Sequence, residues 1–180
     1  MKTPHTVNRK RKRIFVIIWT MIGIMSDSHD NLGAVKRAAA LFHDAGCGII
    51  IHAGDFVAPF SGKELKNAGV PIKAVFGNCD GEKKGLVAAI KPLGEIRKPP
   101  LIFNYNGINI LVTHSDAPVK DLAAQQKHDV LIFGHTHVPE IKKDGNTLII
   151  NPGETGGWLT GKSTVALFDP KTRRGEIIVL

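Results

Sequence analysis

The sequence predicts an α/β fold, a four-layer αββα sandwich of two mixed β-sheets flanked by helices. Three observations predict it. The first half alternates short apolar runs with helical patterns in the order β-α-β-α-β, which argues a parallel sheet built from crossovers. The second half turns to paired apolar runs joined by Asn106-Gly107 and Asp144-Gly145, dipeptides that close hairpins. Five of the apolar runs stop abruptly at Asp, Asn or His, and open α/β sheets bind ligands at the carboxyl ends of their strands.

In chain order, residues 21–25 form a buried strand that stops at Asp27-Ser28-His29. A helix over 31–42 follows: Leu32, Val35, Ala39 and Phe42 recur at helical spacing, Asp30 or Asn31 can cap its start, and Ala45-Gly46 can end it. A strand over 49–52 leads to Gly54-Asp55, and a short helix near 62–67 precedes a strand over 72–76 that ends in Gly77-Asn78-Cys79-Asp80. Residues 82–90 read as a helix bounded by Pro92 and Gly94. Residues 101–105 and 108–113 pair as a hairpin and stop at His114. Residues 119–127 are helical, and 130–133 form a buried strand ending in Gly134-His135-Thr136-His137. Residues 138–143 and 147–150 make a second hairpin, and 163–168 with 176–180 a third pair around Asp169-Pro170. On this reading the second half is mostly antiparallel.

A chain of 180 residues, 43% hydrophobic and 22% charged, fits one packed domain and excludes wholesale disorder. The formal charge of +8 invites a nucleic-acid reading. But Lys2, Arg9, Lys10, Arg11, Lys12 and Arg13 all fall within residues 1–20, which hold no acid, so only +2 belongs to the rest. The expectation is a basic and apolar extension over 1–20, a single domain over 21–180, and no specific nucleic-acid partner. Residues 14–25 follow the basic cluster as the apolar core of a signal peptide would. No small-residue cleavage site comes after them, and the run passes straight into Asp27 and His29. Twelve residues also fall short of the ~20 that cross a bilayer as a helix, so no membrane is expected. Two cysteines, Cys47 and Cys79, make no disulfide framework, and a reduced, cytoplasmic setting is expected.

Asp27 and His29 stand at i and i+2 at the end of a strand, where side chains point the same way and can converge on one ion. Asp55, Asn78, His114, His135 and His137 bring the candidate ligands to seven. Carboxylate, amide oxygen and imidazole without thiolate suit divalent Mn, Fe, Co, Ni or Zn. Seven ligands exceed what one ion takes and suit two ions that share a carboxylate. Two such metals, about 3.5–4 Å apart, can clamp the attacking and leaving oxygens of an in-line phosphoryl displacement and supply hydroxide at neutral pH.

The ordered series Asp27-x-His29, Gly54-Asp55, Gly77-Asn78, His114 and Gly134-His135-x-His137, followed by Asn151-Pro152-Gly153, resembles the calcineurin-like metallophosphoesterase family. It looks most like the small single-domain bacterial and archaeal phosphodiesterases of that family, from about residue 21 to the C-terminus. The resemblance implies a hydrolase of phosphate esters, diesters before monoesters, with two divalent metal ions per chain, manganese first and Ni, Fe, Co or Zn after it. It implies that Asp27, His29 and His137 hold one ion, that Asn78, His114 and His135 hold the other, and that Asp55 bridges. A bridging hydroxide would attack phosphorus. The catalytic positions are then Asp55, Asn78, Cys79 and Asp80. Many family members carry His where Cys79 stands, as a general acid or phosphate contact, and Asp80 would orient it. Ser115 stands where the family often has Gly.

The rival reading is a non-catalytic protein-binding scaffold, since the family includes a eukaryotic retromer subunit of this fold. A scaffold is free to lose ligands, and here all seven are in place. Outside the series, His52 reads as a buried, hydrogen-bonded residue, His43 as solvated and Cys47 as a core filler. Trp158 reads as core packing, with a surface or oligomer contact as its other reading; a homo-oligomer is allowed. Residues 56–60 line the substrate mouth or cover the core. Residues 14–19 add a strand or pack on a groove.

Overall fold

The alternation of side chains along each strand decides the layers. The structure, a computed structural model, describes residues 20–180; the expectations for residues 14–19 and for the extension lie outside the described residues. In β1 (Met21–Met25), Ile22 and Ile24 face a second sheet while Met25 faces helices. β2 (Cys47–His52) repeats this with Ile49 and Ile51 against Ile50, and β3 (Ile72–Val75) with Val75 against Ile72 and Ala74. On the helix side, α1 (Leu32–Asp44) buries Val35, Ala38, Ala39 and Phe42. Gly23 makes room for it, because a Cβ there would lie 2.6 Å from the Phe42 ring. Leu32, counted in the apolar stripe, is exposed instead, and Ala38 fills the face. α2 (Ser61–Leu65) and α3 (Lys83–Ile90) complete this layer through Leu65, Leu86 and Ile90.

β4 (Gly94–Arg97), β10 (Thr164–Asp169) and β11 (Arg174–Val179) extend the first sheet to the order β11-β10-β1-β2-β3-β4. β1 to β4 are parallel neighbours, and β10 runs antiparallel to β1. The second sheet, β5-β6-β7-β9-β8, comprises β5 (Leu101–Tyr105), β6 (Ile108–Val112), β7 (Val130–Ile132), β8 (Glu140–Asp144) and β9 (Thr147–Asn151). Ile110, Val112, Val130, Ile132 and Ile150 meet the first sheet's isoleucines in the buried layer between sheets. Fully burying one such side chain is worth about 1.5–3 kcal/mol. A one-residue slip would turn that face to the wrong side, so the register is held. α4 (Val119–Ala124) lays Val119 and Ala123 on Leu111, Leu131 and Ile149 and forms the fourth layer.

The structure corrects the sequence reading in three places. The centre of the second sheet is parallel: β6, β7 and β9 run the same way, and only the outer pairs are antiparallel. The α4 crossover lets β7 run parallel to β6, and the excursion through β8 brings β9 back parallel to β7. β4 was also not predicted. Its one buried apolar residue is Ile96; Glu95 pairs with Lys73 on β3 and with Arg97, so charge rather than alternation ties this edge strand down. α4 also ends at Ala124, before the expected residue 127, because Gln126 turns to φ +52° and its amide donates to the Ala123 and Asp144 carbonyls. Among the described residues no helix is long and apolar enough to cross a membrane.

Candidate metal centre

Five parallel strands end on one edge, and each delivers its polar residues there. Asp27 and His29 follow β1, Asp55 follows β2, Asn78 and Cys79 follow β3, His114 follows β6, and His135 and His137 follow β7. Main-chain hydrogen bonds bolt these loops together: Asp27 N–H donates to Gly54 O at 2.9 Å, His29 N–H to Asp55 O at 3.1 Å, and Gly134 N–H to His114 O at 3.1 Å.

The side chains gather in two sets. Asp27 Oδ1 lies 3.5 Å from His137 Nε2 and 3.9 Å from His29 Nε2. Asn78 Oδ1 lies 2.8 Å from His114 Nε2 and 2.9 Å from His135 Nδ1. Asp55 stands between, its Oδ2 being 3.4 Å from His114 Nε2 and 3.8 Å from His29 Nε2. All seven candidates are thus brought to one place. Asp27 Oδ1 and His29 Nε2 are buried without a hydrogen-bond partner among the described residues. A cation between them would satisfy both, so the residues present fit divalent metal ions.

The backbone is bent to aim them. Asp27, His29, Asp55, His135 and His137 have φ of +51°, +41°, +60°, +68° and +61°, the left-handed region that costs non-glycine residues energy. Close approach also explains the glycine ahead of two ligand residues. A Cβ on Gly77 would lie 2.0 Å from Asp55 Oδ1, and one on Gly134 1.9 Å from Ser26 Oγ. A further set of contacts orients the candidate ligands. His114 Nδ1 is 2.9 Å from the Ala53 carbonyl, which turns Nε2 into the centre. Asp27 Oδ2 accepts from His135 N–H at 3.0 Å, and Asp55 Oδ1 from Cys79 N–H at 2.7 Å.

Burial pushes the Asp27 carboxyl up, offset in part by a hydrogen bond from Ser26 and by His114 and His137. Burial acts on Asp55 too, but hydrogen bonds from His114 and Cys79 N–H hold it down at about 2. On His114 burial is outweighed by Asp55, which raises it.

The profile of the calcineurin-like phosphoesterase superfamily domain matches residues 21–173. The chain belongs to that superfamily. A phosphodiesterase of Methanocaldococcus jannaschii is 36% identical over 163 residues, covering 88% of this chain and 98% of its own. The solved structure of an archaeal phosphodiesterase superposes with a TM-score of 0.85 at 34% identity, over 89% of this chain and 99% of that one. The phosphodiesterase YfcE of Escherichia coli is 26% identical over 141 residues, 71% of this chain and 75% of its own. The calcineurin-like fold is therefore the frame in which this chain's own departures are read.

Cys79 is exposed, its Sγ 3.2 Å from Asn78 Nδ2, and burial with the nearby Asp55 pushes its thiol up to about 11. Asp80 is buried and spends its carboxylate on the backbone: it accepts from Gly77 N–H at 2.7 Å, Val57 N–H at 2.8 Å and Asp55 N–H at 3.2 Å. It holds the Asp55 loop in place. His52 is fully buried, bonded to Ser28 Oγ and Gly54 N–H, and stacked on Phe56, which covers the core. His43 is exposed and Cys47 is buried in the core. Sequence reasoning missed Glu154, fully buried, whose Oε1 lies 3.2 Å from His137 Nδ1. It follows the Asn151-Pro152-Gly153 motif with no pattern of its own. Trp158 corrects the core-packing expectation: it is 64% exposed and lines the cavity over the ligands, because its N–H donates to the His29 carbonyl at 3.1 Å.

Proposed function

We propose that this chain is a dinuclear metal-dependent phosphodiesterase. The observation that carries the reading is Asp55, whose carboxylate stands between the Asp27–His29–His137 set and the Asn78–His114–His135 set. Asp27, His29 and His137 would hold one divalent ion and Asn78, His114 and His135 the other, with Asp55 shared; manganese is the first choice. When bound, the ions supply a hydroxide nucleophile at neutral pH and positive charge for the phosphoryl oxygens. The chain's own contribution is position. Ala53 O orients the His114 imidazole, and Asp80 with Cys79 N–H fixes the two sides of Asp55. Cys79 stands where many family members carry the proton-donating His, and a thiol is a poor proton donor to a departing alkoxide. The leaving oxygen therefore lacks the proton donor the family often has. The domain over 21–180 carries the activity, and two free cysteines suit a reduced, cytoplasmic setting.

The test is a screen of manganese-reconstituted protein against an aryl phosphodiester and an aryl phosphomonoester. Diester turnover should exceed monoester turnover and disappear in a folded Asp55→Ala variant. A folded Asp55→Ala protein with near-normal turnover contradicts the reading. The scaffold alternative predicts no turnover with any ester.

A further inference from the structure

One wall of the centre serves none of the roles above. Trp158 and Leu159 line the same cavity of about 350 Å³ as His29, Asp55, Asn78 and His135, and are 64% and 79% exposed. The segment bearing them is fastened, not draped. Buried Glu154 accepts from the N–H groups of Trp158 at 2.8 Å, Leu159 at 3.0 Å and Thr160 at 3.0 Å. Asn31 Nδ2 donates to the Gly156 carbonyl at 2.7 Å, and a Cβ on Gly156 would crowd the Ser28 and Asp27 carbonyls at 2.9 and 3.0 Å. The indole N–H is already spent on the His29 carbonyl at 3.1 Å. What the ring has left to offer a ligand is its π face, at a fixed place beside the ligand residues. The cleft on the other side of Asn78 and His135, about 470 Å³, is lined by Lys83 and Lys98. One side of the centre thus carries Trp158 and Leu159, the other Lys83 and Lys98 beside Phe76 and Pro99.

We propose that Trp158 is a specificity-determining residue, which stacks an aromatic ester arm, aryl or nucleobase, of the phosphate-ester substrate. The inference rests on the phosphoesterase reading above and adds the substrate class. Leu159 extends the apolar wall, and Glu154 fastens both through their main-chain N–H groups. Ring stacking is a modest effect, so the expected preference for an aromatic over a methyl arm is about tenfold.

The experiment measures phenylphosphonate and methylphosphonate binding to the manganese-reconstituted protein by calorimetry, in the wild type, Trp158→Ala and Trp158→Phe. Wild type should favour phenylphosphonate about tenfold; Trp158→Ala should lose the preference and Trp158→Phe keep most of it. In a Trp19→Phe background, phenylphosphonate but not methylphosphonate should change the fluorescence of Trp158. A preference unchanged in Trp158→Ala, with aryl diester turnover retained in the wild type, overturns this inference and leaves the phosphodiesterase reading standing. Absence of both phosphonate binding and ester turnover in the wild type overturns the two together.

Discussion

Burial pushes the His52 imidazole down to about 3 from an ordinary 6.5, with Asp55 opposing weakly. The unfolded chain takes up a proton that the folded chain refuses. Stability should be full above about pH 6.5 and fall as the pH drops towards 3, by up to roughly 1.4 kcal/mol per pH unit from this one group. In His52→Asn, whose amide oxygen can still accept from Gly54 N–H, the pH dependence of denaturant unfolding across that window should be flatter than in the wild type. Parallel curves would show that His52 does not carry it. Cys79 concerns the leaving group. A well-placed general acid contributes roughly 10²–10⁴-fold, and aryl oxyanions need it far less than alkyl ones. Cys79→His should therefore raise turnover of an alkyl ester more than that of an aryl ester. The gain should be about tenfold rather than the full range, because three backbone N–H groups already occupy the Asp80 carboxylate that would orient the imidazole. Equal gains on both esters would place the proton donor elsewhere.

Among the elements, the strand ends were legible because an apolar run that stops at Asp, Asn or His is a sharp break in pattern. Glycine beside the ligand was legible as a motif, but its reason needed coordinates. Gly77 leaves no room for a Cβ against Asp55 Oδ1 and the Asp55 N–H. Gly77→Ala should displace the loop that aims Asp55 and lower manganese affinity at least tenfold, while the β3 core residues Ile72 and Ala74 keep the protein folded. Titration of manganese into the variant reads this; wild-type affinity would mean the loop accommodates the methyl group. β4 escaped sequence reasoning because a single apolar residue among charges has no period to detect. The parallel centre of the second sheet escaped it because Asp144-Gly145 marks a hairpin at the edge and says nothing of which strand lies beyond. Glu154 and Trp158 escaped it because their roles are made by contacts with His137 and His29, far apart in sequence.

For the whole molecule, two sheets held in register by their shared isoleucine layer set one edge, and that edge gathers side chains from residue 27 to residue 137. The left-handed backbone at five of the candidate ligand residues is a cost that the packed sheets sustain. On the reading proposed above, this edge holds two divalent ions that share Asp55. Elemental analysis of manganese-reconstituted protein tests it most directly. Wild type should approach two equivalents per chain, and Asn78→Ala or His135→Ala should drop towards one. Saturation of the wild type at one equivalent, unchanged by either substitution, would contradict it.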